Sequence, residues 1–372
     1  MVDHIAGGVL AWTTLRNVAI ADATEVFVFL AGVVTAIAYG RLASTKGVAA
    51  ADGRFKRRAW EIYRAFLLLA ALMFMAGGLL LFLNLQTPSL ENSQVRDFIA
   101  SPLLAVYQVV TLQRQPFLSD ILPMYAFFAL LAPLAIRLAR RSWMWLLVAS
   151  AALWLAAPWL GAQLPSTRPN WMFNPFAWQA VFVLGLIAGM YPEIARRPGP
   201  VASRVLTVAA CVVFVAGAIF SLFSYHEGLR AMFLSSWFEH GLGTFSKSNA
   251  SAVRIINFLA IAWLMYGIVQ RGWLRGLFAR LRWIALVGKH GLLCFMGGAV
   301  ISILAEALSY ALSGGQPVWH YALLADVTGV AALIGLAVWR EHVAVRQRQA
   351  AVPVVAALRD AAAPRIPRHD SP

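Results

Sequence analysis

Apolar positions along this chain fall in long unbroken runs, each about as long as a bilayer is thick. A spanning helix needs about 20 mostly apolar residues. Nine runs meet that length: 22–40, 61–84, 118–136, 143–162, 175–191, 202–224, 254–270, 288–310 and 320–339. The opening stretch from Val2 to Trp12 has about half of it. Backbone in lipid must satisfy its own hydrogen bonds, so a half-helix there has to pack inside the bundle. The pattern predicts an all-α polytopic membrane protein of about ten transmembrane helices, the first truncated at its N-terminus. Residues 1–342 make one helical bundle on this reading. Residues 343–372, rich in Ala, Arg and Pro, make a disordered cytoplasmic tail.

Two apolar stretches between spans are too short to cross. "FIASPLLAVYQVV" (98–110) and "LRAMFLSSWFEHGL" (229–242) fit either re-entrant helices roofing the bundle or interfacial anchors, and interfacial anchoring is the simpler expectation.

Composition agrees with the spans. The chain is 60% hydrophobic and 13% charged, with mean hydropathy +0.70, whereas soluble domains carry about a quarter charged residues. The net charge of +15 first suggests nucleic acid or anionic lipid, but its distribution argues for topology. Alternate loops and the tail hold 24 of the 31 Lys and Arg, and the loops between them hold only Arg16, Arg96, Arg114, Arg168, Arg230, Lys247 and Arg254. Under the positive-inside rule the basic loops and the C-terminus are cytoplasmic, which suits a bacterial inner-membrane protein whose medium is the lipid bilayer, with no nucleic acid involved. Residues 13–21 then face the periplasm. A full first helix would need about ten more residues upstream, so the chain is expected to begin late, through an alternative or misassigned start. Cys211 and Cys294 lie in apolar runs with no CxxC pair, as buried structural thiols would, and neither a disulfide framework nor a metal site is indicated.

Ionisable residues inside a membrane are costly and so are functional candidates. Asp3, His4, Glu25, Asp120, Glu306 and Asp326 all fall in the periplasmic half of the expected topology, which suggests a polar cavity open to the outside. Asp120 also fits a plain helix cap, and Glu306 and Asp326 could simply pair with each other or with a hydroxyl. His4 is a candidate general base for a hydroxyl, or else a buried histidine bonded to a backbone carbonyl. Adjacent residues do not face each other on a helix, so Asp3 is a poor partner for His4, and Glu25 or Asp120 would orient it better. On the cytoplasmic side, Arg57, Arg58, Lys289 and His290 stand among basic clusters suited to phosphates or, more simply, to lipid headgroups.

Several stretches together resemble the OpgC family: "VDHIAGGVLAWTTLRNVAIADATEVFVFLAG", "RRAWEIYRA", "PFLSDILPMYAFFALLAP", "FNPFAWQAVFVLGLIAG", "SNASAVRIINFLAIAW" and "LVGKHGLLCFMGG". They occur in family order from residue 2 to about 340. Ala31-Gly32 stands where the family has Ser-Gly, and Gly291-Leu292 where it has Ser-Leu. The resemblance implies kinship with acyltransferase type 3 membrane enzymes and succinyl transfer onto periplasmic glucan, with acyl-CoA, specifically succinyl-CoA, as donor. It places Asp3, His4, Arg16, Asn17, Asp22 and Glu25 in the first motif, Ser119 and Asp120 in the second, and Arg57 to Tyr63 at the donor side. His4 would then act as base, with Arg16, Asn17, Asp22 and Ser119 around the substrate. A proton-coupled transporter and an inactive membrane scaffold stay open as alternatives, as do the acyl group, the acceptor glycan and a homo-oligomeric state.

Overall fold

The computed structural model describes residues 1–196, 198–225, 228, 245–316 and 318–362. The described residues are helical and include no strand. Among the described residues eight helices are long and apolar enough to cross a membrane, so the chain is a multi-pass membrane protein. After α1 (Leu15–Val18) come two of them, α2 (Ala23–Lys46) and α3 (Val48–Phe82). Short helices α4 (Pro88–Asn92), α5 (Val95–Ala100) and α6 (Pro102–Val110) follow. Next are α7 (Ile121–Arg141), α8 (Trp143–Ala162), α9 (Pro175–Met190) and α10 (Pro200–Tyr225). The last group is α11 (Ala252–Gln270), short α12 (Arg275–Arg280) and α13 (Arg282–Lys289), then α14 (Gly291–Leu312) and α15 (Trp319–Ala362). Helix α9 is a shorter apolar helix, and with it all nine runs found in the sequence are helices. The stretch 229–242 and residues 363–372 lie outside the described residues. Helix α15 carries on past residue 342 to Ala362, through much of the stretch expected to be disordered.

Local chemistry sets the helix starts. Asp22 caps α2 by accepting from the Thr24 amide at 2.7 Å, and the Glu25 carboxylate accepts from the Asp22 amide at 2.9 Å, the two halves of a capping box. Asn174 caps α9 with Pro175 in the first turn. Gly47, at φ 85°, turns the chain between α2 and α3 in a conformation other residues rarely adopt.

Helices α2, α3, α7, α8 and α9 share the main core around the fully buried Trp178, Tyr39, Phe66, Leu69 and Met73. The closest approach is α2 on α9. A Cβ on Gly185 would lie 1.9 Å from the Phe29 carbonyl oxygen, and one on Gly32 would lie 2.1 Å from that of Phe182. Backbone therefore touches backbone along this seam. The opposite face of α2 exposes Phe27, Leu30, Val34 and Ile37, the three-to-four spacing of a lipid-facing stripe. Helices α10 with α11, and α14 with α15, form two further pairs. Cys294 is buried as expected, but Cys211 is exposed, because α10 has little of its surface covered.

Two expectations change. Residues 2–12 do not form the end of a continuous helix: Val2–His4 and Leu10–Thr13 are 3-10 turns separated by Gly7 at φ 75°. So few residues close too few helical hydrogen bonds to offset nucleation, and side chains of other helices take the amides instead. The apolar stretch 98–110 does not cap the bundle. Phe98 stacks on Phe74, Val95 lies against Gly77, and the Tyr63 hydroxyl donates to the Val110 carbonyl, so the segment folds back along α3 for about 21 Å.

Candidate functional site

The site is built around the N-terminal strap, residues 2–18, which lies against α10, α14 and α15. Two buried carboxylates hold it. Glu306 of α14 accepts from the Ala6 amide at 3.1 Å, from the Ser89 amide at 2.8 Å and from the Ser89 hydroxyl at 2.8 Å. Asp326 of α15 accepts from the Leu10 amide at 2.8 Å. Both acids are essentially inaccessible, at 1% and 0% exposed. Buried carboxylates need such donors, and here the donors are the amides that a helix would have used internally. Glu306 thus pairs with a hydroxyl, one of its simpler expected roles, and also fixes the strap.

His4 stands in this strap. Its side chain is exposed although much protein surrounds it, so it faces an opening within the fold. That enclosure, then the positive charges of the amino terminus, Lys247 and Arg16, hold the imidazole below its ordinary pKa against the pull of Asp22. The ring is uncharged at neutral pH with a lone pair free, although a pKa of about 3 makes it a weaker base than an ordinary histidine. Asp3 accepts from the Thr14 hydroxyl at 2.6 Å, and Asn17 donates to the Ala11 carbonyl at 2.6 Å, so both brace the strap. Arg16 is exposed, and its carbonyl accepts from Ser221 of α10.

Beside the strap lies an ionic cluster that the sequence reading did not assemble. Arg254 of α11 reaches Glu25 at 2.7 Å and Asp22 at 3.3 Å, and Lys247 meets Asp22 at 2.6 Å. Glu25 is fully buried and engaged by Arg254 and the Asp22 amide. Burial alone would raise the Asp22 carboxyl, but the charge and hydrogen bond of Lys247, the bond to Thr24 and the charge of Arg254 together hold it well below the usual carboxylate range. Asp120 sits just before α7 yet makes no side-chain capping bond, so a cap does not account for it. Burial pushes its carboxyl up to about 6, opposed by Lys247 and Arg168. It borders a cavity of about 10 Å³ with Gln113, Gln115 and Arg168, room for one water. Ser119 is buried and donates to the Pro116 carbonyl.

His4, Asp22, Asp120, Arg16 and Lys247 are therefore gathered at one end of the bundle, and Lys247 acts electrostatically on three of them. The basic candidates lie at the other end. Arg57 is exposed, Arg58 pairs with Glu61 at 3.2 Å, and Lys289 and His290 both meet Glu341, at 2.6 and 2.8 Å. Among the described residues no group of His, Cys, Asp and Glu is arranged to hold a metal.

The family described as OpgC protein matches residues 1–344. The chain belongs to the OpgC family. The match to OpgC covers the strap, the long helices from α2 to α14, and α15 as far as residue 344. Neither a curated protein nor a solved structure matches the chain. OpgC membership and the membrane spans are consistent with a membrane acyltransferase.

Proposed function

We propose that this OpgC-family protein is an inner-membrane O-acyltransferase that moves a succinyl group from cytoplasmic acyl-CoA to a hydroxyl of a periplasmic glucan, with His4 as general base. The arginine-rich end and the C-terminus face the cytoplasm, and the His4 end faces the periplasm. The observation that carries the reading is His4 itself: a neutral imidazole at an opening, on an unwound strap tied down by two buried carboxylates. A strap tied at these amides fixes the backbone that carries His4, which supports its use as a positioned base.

In the reaction the glucan hydroxyl attacks the thioester carbonyl carbon. The new C–O bond forms as the C–S bond breaks, His4 takes the hydroxyl proton, and that proton is returned to the departing thiolate. Arg16 supplies positive charge near the acyl chain. Arg57, Arg58, Lys289 and His290 receive the phosphates of coenzyme A, which replace Glu61 and Glu341 as their partners.

The test is transfer of label from succinyl-CoA to glucan by the purified protein in lipid. Replacing His4 by Ala is expected to lower turnover about 10²–10⁴-fold, the usual contribution of a general base, with folding unchanged. Full transfer by that variant removes His4 as the base. Absence of transfer by the folded parent protein, across a range of acyl donors, removes the reading altogether.

A further inference from the structure

Lys247 belongs to a short loop, residues 246–250, that is anchored more firmly than an exposed ion pair requires. The Trp178 indole, fully buried in α9, donates to the Lys247 carbonyl at 3.0 Å. The Trp154 indole of α8 donates to the Ala250 carbonyl at 3.0 Å. Asn174, which caps α9, donates its amide to the Ser248 carbonyl at 3.1 Å and its side-chain nitrogen to Asn249 at 2.9 Å. Ala250 is itself fully buried at φ 41°. Irregular backbone is tied at successive residues to the rigid core, as expected where a loop must present one side chain in one place.

That side chain is a cation still open to solvent, with 37% of its surface exposed. An ammonium has three donor hydrogens, and among the described residues Asp22 is its one hydrogen-bond partner. The Phe173 ring, 5.7 Å from Nζ, covers a second side. The charge also acts on both His4 and Asp120, which puts Lys247 at the same end of the bundle as the proposed base. Arg254 also reaches Asp22, so that carboxylate keeps a cationic partner when Lys247 takes a second anion.

We propose that Lys247 is the specificity-determining residue of this site, binding the free carboxylate of a dicarboxylic acyl chain during transfer. The inference rests on the acyl-transfer reading above and deepens it. The test compares kcat/KM for succinyl-CoA with that for butyryl-CoA, a donor of equal chain length without the carboxylate, using the full chain in lipid and glucan as acceptor. Lys247→Gln should lower the succinyl value about tenfold to a hundredfold more than the butyryl value, the size of one charge-assisted hydrogen bond. Lys247→Arg should recover most of the preference. Trp178→Phe keeps an aromatic ring and removes the tether at Lys247, leaving those of Trp154 and Asn174, so it should reduce the same preference about threefold if Lys247→Gln does not accumulate. A structural role would lower both donors alike, and that result, or an unchanged ratio in Trp178→Phe, overturns the assignment while leaving acyl transfer standing. Failure of both donors with the unmodified protein removes the transfer reading and this inference with it.

Discussion

Arg254 occupies the third position of α11, where the positive end of the helix dipole disfavours a cation. It is 8% exposed there because Glu25 and Asp22 supply the compensating charge. An arginine at the start of an apolar span was the one signal in the sequence that pointed to these acids. It was read as part of the charge balance between loops, because nothing local says which distant acid it meets. Asp22 was legible in another way, since Asp-Ala-Thr-Glu is a helix start, but its ion pairs are not local either. They have a consequence for acid stability. A carboxyl held below its ordinary value in the folded state adds stability above the unfolded pKa of about 3.9, and that stability is lost as pH falls through the lower folded value. Asp22→Asn still caps α2 but cannot pair with Lys247 or Arg254. Thermal unfolding in detergent between about pH 7 and about pH 3 should show a less stable variant whose melting point falls less on acidification. An acid slope equal to that of the parent would contradict this.

At the scale of the element, the nine long helices were legible because membrane burial is written residue by residue, as uninterrupted apolar length. The strap was not. Its shape depends on Glu306 and Asp326, some 300 residues away in the chain, taking amides that would otherwise stay within a helix. The α2–α9 seam was also hidden, since a glycine in an apolar run does not reveal what it touches. Gly185→Ala forces a methyl onto the Phe29 carbonyl and should destabilise by about 3 kcal/mol or more. Gly40→Ala, with nothing within 4 Å, should be neutral or slightly stabilising through better helix propensity. Unfolding in the same detergent checks both, and equal effects would remove the seam as a tight contact.

Over the whole molecule, a five-helix core and two helix pairs meet around one strap, with the ionic cluster at one end and the arginines at the other. The proposed orientation makes a direct prediction. With the native cysteines replaced, a cysteine at exposed Thr167 should react with an impermeant maleimide added outside spheroplasts, and one at exposed Thr45 only after the membrane is opened. The reverse pattern would invert the topology. The strap also imposes an order on biosynthesis. The carboxylates that grip Ala6 and Leu10 reside in α14 and α15, which are made some 300 residues after the strap. Until those two helices are made, a nascent strap can form its own bonds and that from Ser221 of α10, but its Ala6 and Leu10 amides stay untied through most of synthesis.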